Sequence, residues 1–201
     1  MPAPDPLLPA PAPGALLVAG PSLEDPNFHR TVVLLLAFSA SDGALGVVLN
    51  RPNRVPVAEL LAGWSGLAAP PDSVFVGGPV SRESVICLAR LRPSWAGGPV
   101  TEESDGCSPV PGVPGLATLD LNRRPDEVQD GVEAVRLFSG YAGWSAGQLE
   151  AEVDAGGWLI LPGSLSDAFD TDPDGLWPRV LRRSGGRIAL YANAPPKLSM
   201  N

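Results

Sequence analysis

A chain of 201 residues with 44% hydrophobic content carries enough apolar side chain for one substantial core, which excludes disorder throughout and favours a single domain. Fourteen basic against 22 acidic residues leave a net charge of -8 and a pI near 4.6. Such a surface repels phosphate backbones, whose affinity comes from counterion release by Lys and Arg, so direct nucleic-acid binding is not expected.

In chain order, residues 1–13 are Pro- and Ala-rich and read as a disordered arm. Three strands follow: "ALLVAG" from Ala15, "RTVVLLLAFS" from Arg30 and "ALGVVLN" from Ala44, the last two joined at Ser41-Asp42-Gly43. Their runs are apolar on both faces, which predicts central strands covered on each side. "VAELLAGW" (Val57 to Trp64) predicts a short helix packed on them. "SVFVGGPV" and "ESVICLARL" give two more strands, with Gly77-Gly78-Pro79 as the bend between them. The Gly- and Pro-rich stretch from Arg92 to Gly115, holding Glu102, Glu103 and Asp105, reads as a long surface excursion. "LATLDLN" and "AVRLFSGYAG" are strand-like, the second leading into a helix over Ala146 to Asp154, and "GWLILPG" returns as a strand. "DPDGLWPRVLRRSGG" predicts a helix with Asp172 as N-cap and Pro173 at N1, but Pro178 then falls inside it; a shorter helix with Pro178 at N1 removes the conflict. Residues 14–185 thus make up the domain and 186–201 a C-terminal tail.

Two cysteines do not make a disulfide framework. Cys87 lies in an apolar stretch that predicts burial, and Cys107 lies in the polar loop "DGCSPVPG", which predicts exposure. Free thiols suit a reducing cytoplasm. The start has no basic segment of the kind a secretory signal carries, and the longest apolar run, Val32 to Phe38, falls far short of the ~20 residues of a membrane helix. A cytoplasmic protein with no membrane partner is expected.

Gly143-Trp144-Ser145-Ala146-Gly147 has the Gly-x-Ser-x-Gly form of a hydrolase nucleophile turn. The system that uses this turn places its histidine after the serine, whereas His29, the single histidine, comes before it. Ser145 and Gln148 instead stand as Ser-x-x-Gln at a helix start, a capping box. A triad of Ser22, Asp25 and His29 can be drawn, but closeness in sequence is not triad geometry, and a turn histidine is the plainer reading. No phosphate-binding glycine loop and no calcium loop occurs, and one histidine with two cysteines of different expected exposure leaves any metal site to carboxylates alone, so no cofactor and no metal are expected. Arg179, Arg182, Arg183 and Arg187 lie near one helix face, read as a solvated surface.

"GPSLEDPNFHRTVVLLL", "GALGVVLNRP", "VFVGGPV", "LFSGYAGWSAGQLEAE" and "WLILPGSLSDAFDTDPDGLW" together resemble the YqgE/AlgH family of bacterial proteins, in register from about Gly14 to Gly185. The resemblance implies an α+β domain in which a mixed β-sheet curls toward a barrel and helices pack outside it. It implies no defined biochemical activity: some members carry a transcriptional-regulator label that rests on the effect of losing the protein. Within the family's pattern, Gly140, Tyr141, Gly143, Trp144, Gly147 and Gln148 occupy fixed slots, whereas Ser145 and His29 fall in open ones. Pro178 and the long Arg92 to Gly115 stretch depart from the pattern.

Asn50-Arg51-Pro52, Gly77-Gly78-Pro79 and Gly140-Tyr141-Ala142-Gly143-Trp144 each follow an apolar strand. If these strand ends gather at one edge of the sheet, Asn50, Arg51, Gly77, Gly78, Tyr141, Gly143, Trp144 and Gln148 form a polar and aromatic rim suited to a small anion or a partner peptide. A cytoplasmic binding or regulatory module, acting through a protein or small-molecule partner, is the leading reading. An enzyme with a polar pocket at the strand ends and a direct DNA-binding regulator are the alternatives.

Overall fold

The computed structural model describes residues 10–96 and 106–194. Most of the Pro/Ala arm, the acidic stretch with Glu102, Glu103 and Asp105, and the end of the tail lie outside the described residues. Among the described residues, nine strands form one sheet: β1 (Ala15–Ala19), β2 (Val32–Ser39), β3 (Gly43–Val48), β4 (Phe75–Val76), β5 (Val80–Leu91), β6 (Cys107–Pro109), β7 (Leu116–Leu119), β8 (Val132–Trp144) and β9 (Trp158–Pro162). The order is β6-β7-β5-β8-β3-β2-β1-β9, and β4 pairs parallel with β8 in an otherwise antiparallel, mixed sheet that curls into a half-barrel.

Alternation along the strands explains the double-faced apolar runs. On β1, Leu16 and Val18 enter one core and Leu17 and Ala19 another; on β2, Val32 and Leu34 part from Val33 and Leu35 in the same way. A further core, built on Val135 and Leu137 of β8 with Ala89 and Leu91 of β5, lies on the other wing. β8 joins the wings. Residues 132–141 pair with β5 and residues 142–144 with β3, so one long strand carries the curl.

Seven short helices cover the sheet among the described residues: α1 (Val57–Leu60), α2 (Pro93–Ala96), α3 (Pro125–Val128), α4 (Gln148–Asp154), α5 (Leu165–Ala168), α6 (Leu176–Ser184) and α7 (Gly186–Tyr191). The stretch expected as one helix from Val57 to Trp64 splits into α1 and a 3-10 segment from Ala62 to Leu67. At the C-terminal end, Asp172 and Pro173 start a 3-10 turn, and α6 begins at Leu176. Pro178 is therefore the third residue of α6, neither its N1 nor an interior breaker. Its missing N–H is one of the four that a helix start leaves without an intrahelical partner. α7 falls in the segment read as tail. Within Arg92 to Gly115, Cys107–Pro109 is a sheet strand rather than loop, because it pairs with β7 through Cys107↔Leu119.

The core includes a cation. Arg136 on β8 is 1% exposed, lies over the Phe75 ring at 4.5 Å and donates from its Nη atoms to Ala168 O at 3.0 Å and Pro70 O at 2.5 Å. Burial pushes its pKa down to about 10, against the pull of Asp170. Its role is to tie the Pro70 loop and the end of α5 to the strand, since removing either carbonyl would leave a buried charge short of acceptors.

Candidate functional site

The three glycine- or proline-containing segments singled out in the sequence lie side by side. Val76 N–H donates to Arg51 O, Gly77 N–H to Ser139 O and Val48 N–H to Gly77 O, each at 2.8 Å. Residues 50–52, 76–78 and 139–141 are thus laced together at the junction of the two wings. Gly140 to Trp144 is not a turn after a strand, however: it is the second half of β8. Gly140 takes φ +70, which bends the strand without ending it, and opposite it the residues between Val80 and Val85 bulge out of register. The close approach is absolute at Gly78, where a Cβ would sit 2.1 Å from the Tyr141 carbonyl carbon.

Two hollows flank the Gly77–Val80 segment. The larger is an open groove of about 610 Å³ whose walls include Phe38, Asp42, Val80, Tyr141, Gly143 and Trp144. The smaller, about 210 Å³, is walled by Asn27, Arg51, Pro52, Gly78, Pro79 and Arg82, among others. Arg51 and Gly78 therefore face one hollow, and Tyr141, Gly143 and Trp144 the other. Asn50 faces neither. It is 3% exposed, its Oδ1 accepts from Val32 N–H at 2.9 Å and its Nδ2 donates to Arg30 O at 2.9 Å, which clips two strands together. Gly77 touches the Gly140 backbone and has no side chain to offer a ligand.

Trp144 and Gln148 belong to a closed network. Glu152 on α4 accepts from the Trp144 indole at 2.9 Å and the Trp158 indole at 2.8 Å through Oε2, and from Gln148 Nε2 at 2.9 Å through Oε1. Phe28 completes an aromatic cluster, with its ring centroid 6.1 Å from Trp144 and 5.4 Å from Trp158. The Ser145 capping box forms only in part. Gln148 Oε1 accepts from the Ser145 N–H at 3.1 Å, but the Ser145 hydroxyl donates back to that same oxygen, and the N-cap of α4 is Gly147 at φ +75. The extra turn places Ser145 two residues ahead of the cap. His29 Nδ1 lies 3.3 Å from Leu23 O, so its ring is engaged with its own loop.

Arg51 donates to Asn50 O at 3.3 Å and to His29 O, both carbonyls. Burial lowers its pKa, and the charge of Asp174 raises it. Arg82, which the sequence reading passed over, has no side-chain hydrogen bond or ion pair among the described residues. Nor does the Tyr141 hydroxyl. The bulge of β5 sets Arg82 at the hollow, a placement that no local periodicity signals. Phe38, Asp42 and Val80 were likewise missed, because Phe38 and Val80 join the groove through strand pairing and Asp42 through the turn between β2 and β3. Asp42 accepts from the Ser39 and Ser41 hydroxyls, which hold its carboxyl below the usual range.

The expectation of one exposed thiol is corrected: Cys87 and Cys107 are both buried in one core. Pairing with β7 draws Cys107 out of its polar neighbourhood and under the sheet. β7 lies between β5 and β6, so the two cysteines sit two strand spacings apart, ~9.6 Å, beyond disulfide reach. In the arginine cluster, Arg179 pairs with Asp170 at 2.7 Å and Asp172 at 2.6 Å, and Arg183 with Asp167 at 2.7 Å. Among the described residues, no group of three or more His, Cys, Asp or Glu side chains gathers to hold a metal ion, and no helix is long and apolar enough to cross a membrane.

Comparison with known proteins matches residues 16–189 to a family described as AlgH-like, DUF179. A UPF0301 protein of Thermobifida fusca is 46% identical over 189 residues, 94% of each chain, and one of Streptomyces coelicolor is 44% identical over the same share. Among solved structures, protein DIP2367 of Corynebacterium diphtheriae superposes with a TM-score of 0.84 at 30% identity, over 92% of this chain and 94% of that one. The solution structure of the AlgH protein of Pseudomonas aeruginosa, also UPF0301, gives 0.65 at 28% identity over 92% and 96%.

Proposed function

For a chain that belongs to the AlgH-like family DUF179, we propose a binding module of regulatory role, which takes a small organic ligand in the groove beside Tyr141. The observation that carries this reading is the Tyr141 phenol, a hydroxyl without a partner among the described residues, set in a groove of about 610 Å³ with apolar walls. That volume falls within the ~300–1,000 Å³ of small-molecule sites, which pair apolar walls with a few fixed polar groups. A protein side chain inserted by a partner would meet the same groove. Against direct DNA binding, two of the four clustered arginines are already neutralised by carboxylates of their own chain.

Titrating a set of aromatic and aliphatic metabolites against the labelled protein, with backbone NMR as readout, tests the reading. Shifts should cluster on Phe38, Val80 and Tyr141, and Val80→Glu should erase them without unfolding the chain, since Val80 is 36% exposed. Ligands whose shifts fall elsewhere, or survive Val80→Glu, would count against the groove.

A further inference from the structure

The smaller hollow beside Gly78 has different chemistry from the groove and stands independently of it. We infer that the hollow between Arg51 and Arg82 is a binding site for a small phosphate-class oxyanion, either free phosphate or the head of a phosphomonoester.

Charge is the first reason. Two arginines, Arg51 and Arg82, line one hollow of about 210 Å³, and neither makes an ion pair within 4.0 Å among the described residues. Elsewhere Arg90, Arg124, Arg179 and Arg183 are each neutralised by a carboxylate of their own chain, whereas these two arginines line one hollow with none. The charge of Asp174 bears on Arg51 without forming an ion pair with it. Asp25, close by in sequence, has its carboxylate turned to the Asn27 N–H at 2.8 Å. At physiological salt, charges more than ~8 Å away are screened, so the local pair outweighs the negative total.

Preorganisation is the second reason. Arg51 is held by Asn50 O and His29 O, carbonyls that fix the guanidinium without neutralising it. Arg82 stands on the bulge of β5, whose backbone is pinned where the Ser139 hydroxyl donates to Arg82 O at 2.5 Å. One arginine is therefore fixed and the other free to close. A planar fork of N–H donors matches the oxygens of phosphate better than a lysine point charge does.

Size selects the ligand. At about 210 Å³ the hollow is smaller than the ~300–1,000 Å³ of sites for drug-sized molecules, and holds some seven waters at ~30 Å³ each. A phosphate fits with a short organic tail, and Val48, Pro52, Val76 and Pro79 offer an apolar wall for that tail.

The test is titration of the full chain with inorganic phosphate, glycerol 3-phosphate and acetate, followed by ³¹P NMR and calorimetry. Saturable binding of phosphate below about 10 mM is expected, with acetate at least about tenfold weaker. Arg82→Gln should weaken phosphate at least about tenfold while leaving the melting temperature of the unliganded protein unchanged, because Arg82 has no intramolecular partner to lose. Arg51→Lys should weaken it as well, and Arg187→Gln, away from the hollow, should not. Tighter binding of glycerol 3-phosphate than of phosphate identifies the monoester as the ligand, and equal binding identifies the free anion. No saturable binding of either phosphate, or an Arg82→Gln chain that binds like the parent, would overturn the inference.

Discussion

At the Trp144 end of β8 the polar atoms are paired inside the chain, with both indoles and Gln148 converging on Glu152. Three residues earlier on the same strand, the Tyr141 hydroxyl has no partner, and across the sheet junction neither has Arg82. Both ends belong to one sequence motif, "GYAGW". Alternation along the strand divides it: Ala142 and Trp144 join a core, while Tyr141 and Gly143 turn to the groove, which Trp144 also borders. A motif of fixed residues can therefore serve architecture at one position and recognition at the next. The sorting criterion is whether its polar atoms find partners at home, because a buried polar group without one costs about 1–3 kcal/mol.

The largest expected effect lies where the two regions are joined. Gly78→Ala would set a methyl group 2.1 Å from backbone that is itself part of β8, so neither side can yield cheaply. We expect a loss of about 3 kcal/mol or more in urea unfolding, at the upper end of overpacking. Gly66→Ala, with nothing within 4 Å, should cost little, and equal losses in the two variants would mean that the contact at Gly78 relaxes freely.

Next comes the closed network. Glu152→Ala removes the shared acceptor of two buried indoles, and the orphaned N–H groups should cost about 3 kcal/mol together. Near-UV circular dichroism should change with it, since Trp144 and Trp158 stack edge to face at 5.8 Å. By the same criterion Tyr141→Phe, which removes no internal bond, should be neutral in stability.

The two buried thiols give a pH signature. Burial raises the Cys87 pKa far above the 9.0 of an exposed thiol. The folded chain then keeps a proton that the unfolded chain releases, so this contribution is complete below pH 9 and declines above it. The limiting slope is ~1.4 kcal/mol per pH unit. Between pH 9 and 10.5, the Cys87→Ala chain should lose stability less steeply than the parent. A thiol reagent should reach Cys87 and Cys107 only on unfolding; fast reaction of either in the native protein would contradict their burial.

The sequence made the architecture legible wherever local pattern and long-range pairing agree. The apolar runs at Leu16 and Val33 became central strands, the one at Ile160 became the edge strand beside them, and the family resemblance supplied their curl. Cys107 was misread because its neighbours are polar, and its burial depends on Leu119 across a strand pair. Gly140 looked like a strand end because it follows an apolar run; the partner bulge at Ser81 that lets β8 continue lies some 60 residues away in sequence. Of the eight site residues expected, Arg51, Gly78, Tyr141, Gly143 and Trp144 line the two hollows, while Asn50, Gly77 and Gln148 face other parts of the chain. Arg82 left no trace in the pattern. Arg136 did leave one, a lone cation inside the apolar run "AVRLF".

The smallest effect separates Ser145 from Gln148, which stand between the two regions. The Gln148 side chain accepts the Ser145 N–H and donates to Glu152, so it links the turn to the network. The Ser145 hydroxyl only donates to an oxygen that already has a partner, and it does so at an exposed position. Gln148→Ala should therefore cost about 1 kcal/mol, the size of a lost helix cap, and Ser145→Ala less than about 0.5 kcal/mol. Chemical denaturation of the two variants side by side distinguishes them. A larger loss at Ser145 would mean that its hydroxyl caps α4 after all and that Gly147 does not set the helix start. Covalent labelling of Ser145 by a fluorophosphonate would assign it a different role altogether, one that needs a base to take its proton, and its hydroxyl meets Gln148 rather than His29.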